Sequence, residues 1–297
     1  MDLGFKFYLA GPNASMLSRE LGTHLTGRYV PIELFPFSFF EFIQFRIEAF
    51  PDLRHLTGGD KVRLKNLLDA YLRFGGIPEA LKFPESPVLR DLYDAILYRD
   101  IAASHHLEKV TALRELAFYL LTHPAGLISL DQLKRQLHLG STKTIQDHLS
   151  YLENSWLVFT LDVYAPSLKL QPFGHKKIYC IDTGLATVVG FSPVPLNLLE
   201  NLVFVALRRQ TKELSACLLP GGSAASFYLP ERGQVLQIST DWGSSATREH
   251  EVQALSATLK TARVENALIL SEAEQDSFEL DGLQVEVRAI SEWLASQ

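Results

Sequence analysis

The stretch that most constrains the fold is the first one. Phe5 to Ala10 (FKFYLA) reads as a buried strand, Gly11-Pro12-Asn13 as a turn, and Ser15 to Leu25 (SMLSRELGTHL) as a short amphipathic helix. Tyr29 to Leu34 (YVPIEL) then reads as a second strand. Strand, crossover helix and strand make a right-handed parallel unit. Parallel strands are stable only in sheets covered on both faces, and two of them do not make such a sheet. Only four residues precede Phe5. The expectation is that the remaining strands are missing or come from another chain, and that this polypeptide carries the last part of the unit.

At 297 residues there is room for two or three domains. The 47% hydrophobic and 21% charged content is ordinary for a soluble globular protein. One local bias stands out, the aromatic run Phe35, Phe37, Phe39, Phe40, Phe42 and Phe45. Pro36, Ser38, Glu41 and Gln44 interrupt it, far short of the ~20 apolar residues of a membrane span. A core segment is expected; the alternative is a sticky surface left bare by the incomplete sheet. Asp2 stands where a secretory signal carries positive charge, so no signal peptide is read. Cys180 and Cys217 lack metal-ligand spacing and sit in apolar segments, which reads as two buried thiols in a cytoplasmic protein with no membrane partner.

Charge is uneven. Residues 1–196 carry 20 basic and 20 acidic side chains, and residues 197–297 carry 8 and 14, so the whole net charge of −6 lies in the last third. A domain that grips phosphates usually has the opposite sign.

The middle of the chain has the clearest pattern. Thr111 starts a helix to Leu121, and Ser129 with Gln132 starts another as a capping box. His138-Leu139-Gly140 turns, and Ser141 or Thr142 caps a third helix to about Asn154. On it Ile145, Leu149 and Leu152 form the inward stripe, leaving Lys143, Gln146, Asp147, Ser150 and Asn154 outward. Strands Trp156 to Val163 and Lys177 to Ile181 follow, joined by a loop with Lys169, His175 and Lys176. Helix, helix, turn, helix and basic hairpin is the pattern of a winged helix-turn-helix. Base reading would fall to Ser141, Thr142, Lys143 and Gln146, and phosphate contact to Lys169, Lys176 and Lys177. Double-stranded DNA is thus one expected partner. Against it, residues 111–196 carry 7 basic and 6 acidic groups, and Asp147 would face the duplex. Packing or protein contact is the competing use.

Several segments together resemble a known family. LAGPNASMLSRELGTHLTGRYVPIELFPFSFFEF looks like the second half of an AAA-type P-loop ATPase core. LLDAYLRFGGIPEAL, ILYRDIA, TIQDHLSYLENSWLVF, KKIYCIDTGLA and LLENLVFVALRRQ follow in that family's order and spacing. In this bacterial and archaeal family the core is joined to a C-terminal domain of unknown function (DUF 4143 type, restriction-endonuclease-like). The resemblance implies a phosphate-binding loop, GxxxxGK(S/T), and an acidic strand end for magnesium. No Gly-Lys-Ser or Gly-Lys-Thr occurs here, and no strand ends in paired acids. By the same resemblance Asn13 matches a residue that positions the attacking water. Arg28 matches one that reaches a neighbouring subunit's nucleotide. ATP and magnesium are cofactors of the intact family, and none is expected for this chain alone.

The last unit is similar to a restriction-endonuclease-like core. Leu198 to Arg209 reads as a helix, with strands near Ala216 to Leu219, Ala224 to Leu229 and Val235 to Thr240, a helix from Thr247 to Lys260, and a strand from Ala267 to Leu270. Such cores hold magnesium with a Glu on the first helix, an Asp on the second strand and a Glu-x-Lys on the third. Glu200 matches the first place, but Ser226 stands near the second, and Gln237 and Ser239 near the third. No metal site is expected, and Glu200 reads as a helix-start acid. Ile181-Asp182-Thr183-Gly184 matches the aspartic-protease tripeptide, yet occurs once and in a helical context, so Asp182 reads as a helix cap. His105-His106 with Glu108 reads as surface, because adjacent helical residues face different ways.

The fold expectation is an α/β multidomain chain. It comprises a remnant of a parallel ATPase sheet (1–50), a helical lid (51–110), a winged helix (111–195) and an inactive nuclease-like α/β domain (196–297). The functional expectation is a binding or assembly module without independent catalysis, with DNA or self-association through the N-terminal half-domain. The enzymatic alternative is an ATPase completed by a separate chain carrying the phosphate loop; a decayed fragment is the third.

Overall fold

The computed structural model describes residues 8, 30, 32–47, 52–138, 141–164, 175–189, 195–217, 225–262 and 264–297. The expected first strand (save Tyr8), the crossover helix and the wing loop with Lys169 lie outside them. Of the expected strand Tyr29 to Leu34, Val30 and Ile32 to Leu34 are described and belong to no strand.

The aromatic run becomes helix α1 (Phe39–Arg46). Glu41 donates its N–H to Ser38 Oγ at 3.2 Å and Ser38 its own to Glu41 Oε2 at 2.6 Å, a reciprocal cap. Helical spacing turns Phe39, Phe42 and Ile43 into the core and leaves Phe40 and Phe45 exposed, so the run is part core and part surface. Helix α2 (Gly58–Phe74) is capped by Thr57 and Asp60 and buries Leu64, Leu68 and Tyr71. Gly75 ends it at φ +73°, a conformation glycine adopts freely. Pro78 opens the short α3 (Pro78–Lys82), where its missing N–H is not needed. Helix α4 (Val88–Asp94) runs on into a π-helical stretch, Ala95–Ala102.

Helix α5 (Thr111–Thr122), strand β1 (Leu127–Ser129), helices α6 (Leu130–Gln136) and α7 (Thr142–Asn154), and the hairpin β2 (Val158–Tyr164) and β3 (His175–Cys180) come next. Two expectations shift here. Lys176 and His175, read as loop, are in β3, because β1 extends the ladder over them: Ile128 opposes Lys176 and Ser129 opposes His175. Ser129 caps α6 by accepting the Gln132 N–H at 3.3 Å, but the return bond from the Gln132 side chain that a capping box requires is not made.

Helices α8 (Thr183–Val188) and α9 (Pro195–Arg208) lead into β4 (Ser215–Cys217), β5 (Phe227–Leu229) and β6 (Gln234–Ile238). Then follow α10 (Ser245–Leu259), β7 (Asn266–Ser271), β8 (Asp276–Leu280), β9 (Leu283–Ala289) and α11 (Ile290–Ala295). The nine strands among the described residues form one mixed sheet in the order β1-β3-β2-β4-β5-β6-β7-β9-β8. The join is β2 with β4, parallel, Val163 opposite Ala216 and Tyr164 opposite Cys217. Strands from both sides of residue 195 therefore belong to one sheet.

Three apolar cores hold it. Helices α1, α2, α9 and α11 share one face with Tyr179, Phe227 and Leu236. Helices α5 to α8 close over Ile178 and Cys180 on the other face of the hairpin. Helix α10 covers Val235, Ile269 and Val285. Both cysteines are free and buried, as read. Among the described residues no helix is long and apolar enough to cross a membrane.

Candidate functional site

Helix α7 is built to present one face. Ser141 Oγ accepts the Thr144 N–H at 3.1 Å and so fixes its start. Ile145, Leu149 and Leu152 are buried, while Lys143, Gln146, Asp147 and Ser150 are exposed. Thr142, half-buried, is the first helical residue. Of the residues read as base-contacting, Lys143 and Gln146 thus project from the surface, and the Ser141 hydroxyl is occupied by its cap.

The hairpin lysines sit differently. Lys177 is largely buried, and its Nζ lies 2.6 Å from Glu200 Oε1 on α9. Tyr179 donates its hydroxyl to the same oxygen at 2.8 Å. Burial together with this carboxylate holds the Tyr179 phenol well above its ordinary pKa. Tyr179 also stacks on Phe204 of α9, ring centroids 4.0 Å apart. Lys176 is more exposed and pairs with Asp162 at 3.1 Å. Both cations of the hairpin therefore carry a carboxylate partner, while Lys169, Asn13 and Arg28 lie outside the described residues.

The positions read against a nuclease core fall into two places. Phe227 opposes Leu236 and Tyr228 opposes Val235, so the same register carried one residue further sets Ser226 opposite Gln237. Ser226 Oγ accepts the Ile238 N–H at 3.3 Å. Gln237 shares the sheet face of Val235, under α10, and its amide donates to Glu251. Glu200 belongs to α9, which packs on the Leu236 face. The ladder thus offers Ser226, Gln237 and Ser239, and Glu200 points elsewhere. A hard divalent cation needs several charged oxygens, so these residues do not fit magnesium. Burial raises the Glu251 pKa, the Gln237 amide opposing it, which further disfavours a charged ligand there. Among the described residues no group of three or more His, Cys, Asp or Glu is placed to hold a metal.

Asp182 is a buried carboxylate with both oxygens engaged. It caps α8, Oδ1 accepting the Gly184 N–H at 2.9 Å, while Oδ2 accepts the Gly76 N–H at 2.6 Å. Thr183 Oγ1 donates to the Tyr71 carbonyl and Thr187 Oγ1 to the Arg73 carbonyl. Burial pushes the Asp182 carboxyl up to about 6 against these N–H bonds. A single aspartate in a helix cap, bonded through both oxygens to backbone N–H groups, lacks the second carboxylate with which a protease dyad shares its proton. Beside it opens a cavity of ≈ 620 Å³ lined by Phe35, Phe37, Tyr71, Asp182 and Arg209 among others. Tyr71 donates to the Phe37 carbonyl there, and Arg209 is held by Glu41 at 3.1 Å, so the cavity's polar groups serve the packing.

Comparison with known proteins adds two partial matches. Residues 1–43 match the family described as AAA domain, and residues 65–194 the one described as Domain of unknown function (DUF8612). The first supports an AAA-type origin for the stretch read above as part of an ATPase core. The uncharacterized protein MJ1544 of Methanocaldococcus jannaschii is 26% identical over 277 residues, 89% of this chain and 62% of the relative. An uncharacterized protein of Haemophilus influenzae is 28% identical over 211 residues, 68% of this chain and 50% of the relative. The chain spans about half to three fifths of the length of these curated relatives. No solved structure matches it.

Proposed function

We propose that this chain is a cytoplasmic binding and assembly module of AAA-type ancestry that contacts duplex DNA through a winged helix-turn-helix. Residues 196–297 act in it as a nuclease-like scaffold without cleavage chemistry. The observation that carries the reading is α7, whose apolar side is buried while Lys143 and Gln146 stand exposed on one face. The helix, strand, two helices and hairpin around it have the order of a winged helix, in which that face enters the major groove. The side chains Ser226, Gln237 and Ser239 support the scaffold role, since none supplies negative charge.

The test is fluorescence anisotropy of labelled duplexes against wild type and Lys143→Ala/Gln146→Ala. Wild type should bind weakly and lose affinity steeply between about 50 and 200 mM salt. The double variant should bind less tightly and with altered sequence preference. Unchanged affinity and preference would assign the α7 face to protein contacts.

The AAA-domain match favours a second reading: residues 1–43, through Asn13 and Arg28, complete a nucleotide site whose phosphate loop, ATP and magnesium come with a separate partner chain. Stimulation of a partner's ATP turnover by this chain, lost in Arg28→Ala, is its test.

A further inference from the structure

We infer that the duplex is gripped by the helix-turn-helix and not by strands β2 and β3 of the wing: Lys134 and Arg135 of α6, with Lys143 of α7, hold its phosphates. This rests on the duplex-binding reading above and assigns its contacts. A wing that tracks the DNA backbone needs a free edge, a solvent-facing side and unpaired cations. Here β2 gives its outer edge to β4 through Val163 and Tyr164. The sheet face that carries Phe159, Leu161 and Tyr179 is packed against α9, with Tyr179 fully buried on Phe204. Lys177 is spent on Glu200 and Lys176 on Asp162. Freeing the hairpin would expose the buried side chains of Leu161, Tyr179 and Phe204 together to water. That is too much for a surface meant to open for a phosphate.

The helices offer what β2 and β3 lack among the described residues. Lys134, Arg135 and Lys143 are exposed, and among the described residues none has a carboxylate within ion-pair distance. They flank the turn between α6 and α7, where the first helix of such a pair crosses the backbone as the second enters the groove. Asp131 and Asp147, with Glu153 at the far end of α7, balance these three cations, which accounts for a weak, salt-sensitive grip.

The salt dependence of duplex binding tests this. Lys134→Ala/Arg135→Ala should lower the slope of log K against log salt by about 2, each phosphate contact contributing about 0.9. Lys176→Ala, an exposed wing change that leaves the buried Lys177–Glu200 pair intact, should leave the slope unchanged. A lower slope in Lys176→Ala with none in the α6 variant would overturn the assignment while keeping DNA binding. Absence of duplex binding by wild type would overturn the underlying reading and this inference with it.

Discussion

Gly76 donates its backbone N–H to Asp182 Oδ2 at 2.6 Å, across 106 residues of sequence. This bond fastens the end of α2 to the start of α8, and so joins the helices after residue 51 to the hairpin that ends at Cys180. Its glycines are required for contact: a Cβ on Gly75 would lie 1.9 Å from Asp182 Oδ1, and one on Gly184 2.4 Å from the Phe74 carbonyl oxygen.

Gly75→Ala should therefore destabilise the protein by about 2–4 kcal/mol, combining left-handed backbone strain with overpacking. Gly58→Ala is the control, since nothing lies within 4 Å of a Cβ there and the residue opens α2. It should be neutral or stabilising by up to about 1 kcal/mol. Urea unfolding of the two variants checks both; equal losses would mean that Gly75 is replaceable.

Asp182 gives a pH signature. Its folded-state carboxyl is raised to about 6, so the folded protein holds that proton more tightly than the unfolded chain. The stability this contributes is complete below the unfolded value of about 3.9 and is lost as pH rises through about 6. Wild type should lose about 1–1.5 kcal/mol relative to Asp182→Asn between about pH 5 and pH 7.5. Urea midpoints of the pair at the two pH values measure it, and a difference moving the other way contradicts the burial of this charge.

Glu200→Gln should cost about 1–3 kcal/mol, because Lys177 stays largely buried without its carboxylate. Lys177→Met/Glu200→Gln should recover most of that loss, because the amide oxygen still accepts the Tyr179 hydroxyl and no cation is left without a partner. Thermal melts decide it; a double variant no better than the single one would show that the pair does more than fasten the hairpin to α9.

Plasmid incubated with the protein and magnesium or manganese should remain uncut, and Glu200→Ala should change stability only. Nicking that disappears in Glu200→Ala would place a living metal site at Glu200, away from Ser226, Gln237 and Ser239.

Much of the helical framework is legible in the sequence because its determinants are local. Leu64, Leu68 and Tyr71 repeat at helical spacing before Gly75, and Ser141 precedes the stripe Ile145, Leu149 and Leu152. Asp182 is readable as a cap for the same reason. What escapes notice depends on distant partners. Nothing local in Val163 or Ala216 says that β2 and β4 pair, and so nothing shows that the outer edge of β2 is covered. The bond from Lys177 to Glu200 is equally silent until α9 lies against β3. Strand β1 is three residues long, too short for a periodic pattern. The β8–β9 hairpin was within reach: Leu283, Val285, Val287 and Ala289 alternate with Gln284, Glu286 and Arg288, and Asp281-Gly282 makes a two-residue turn with both φ values positive.

The central claim is that α7 and its turn form the surface that meets duplex DNA, and the most direct test is amide hydrogen exchange across the chain with and without a bound duplex. Protection should appear over residues 130–150, strongest near Lys143 and Gln146, with no change in β2 and β3. Protection confined to the hairpin or to residues 197–297, with α7 exchanging as it does in the free protein, would contradict the account.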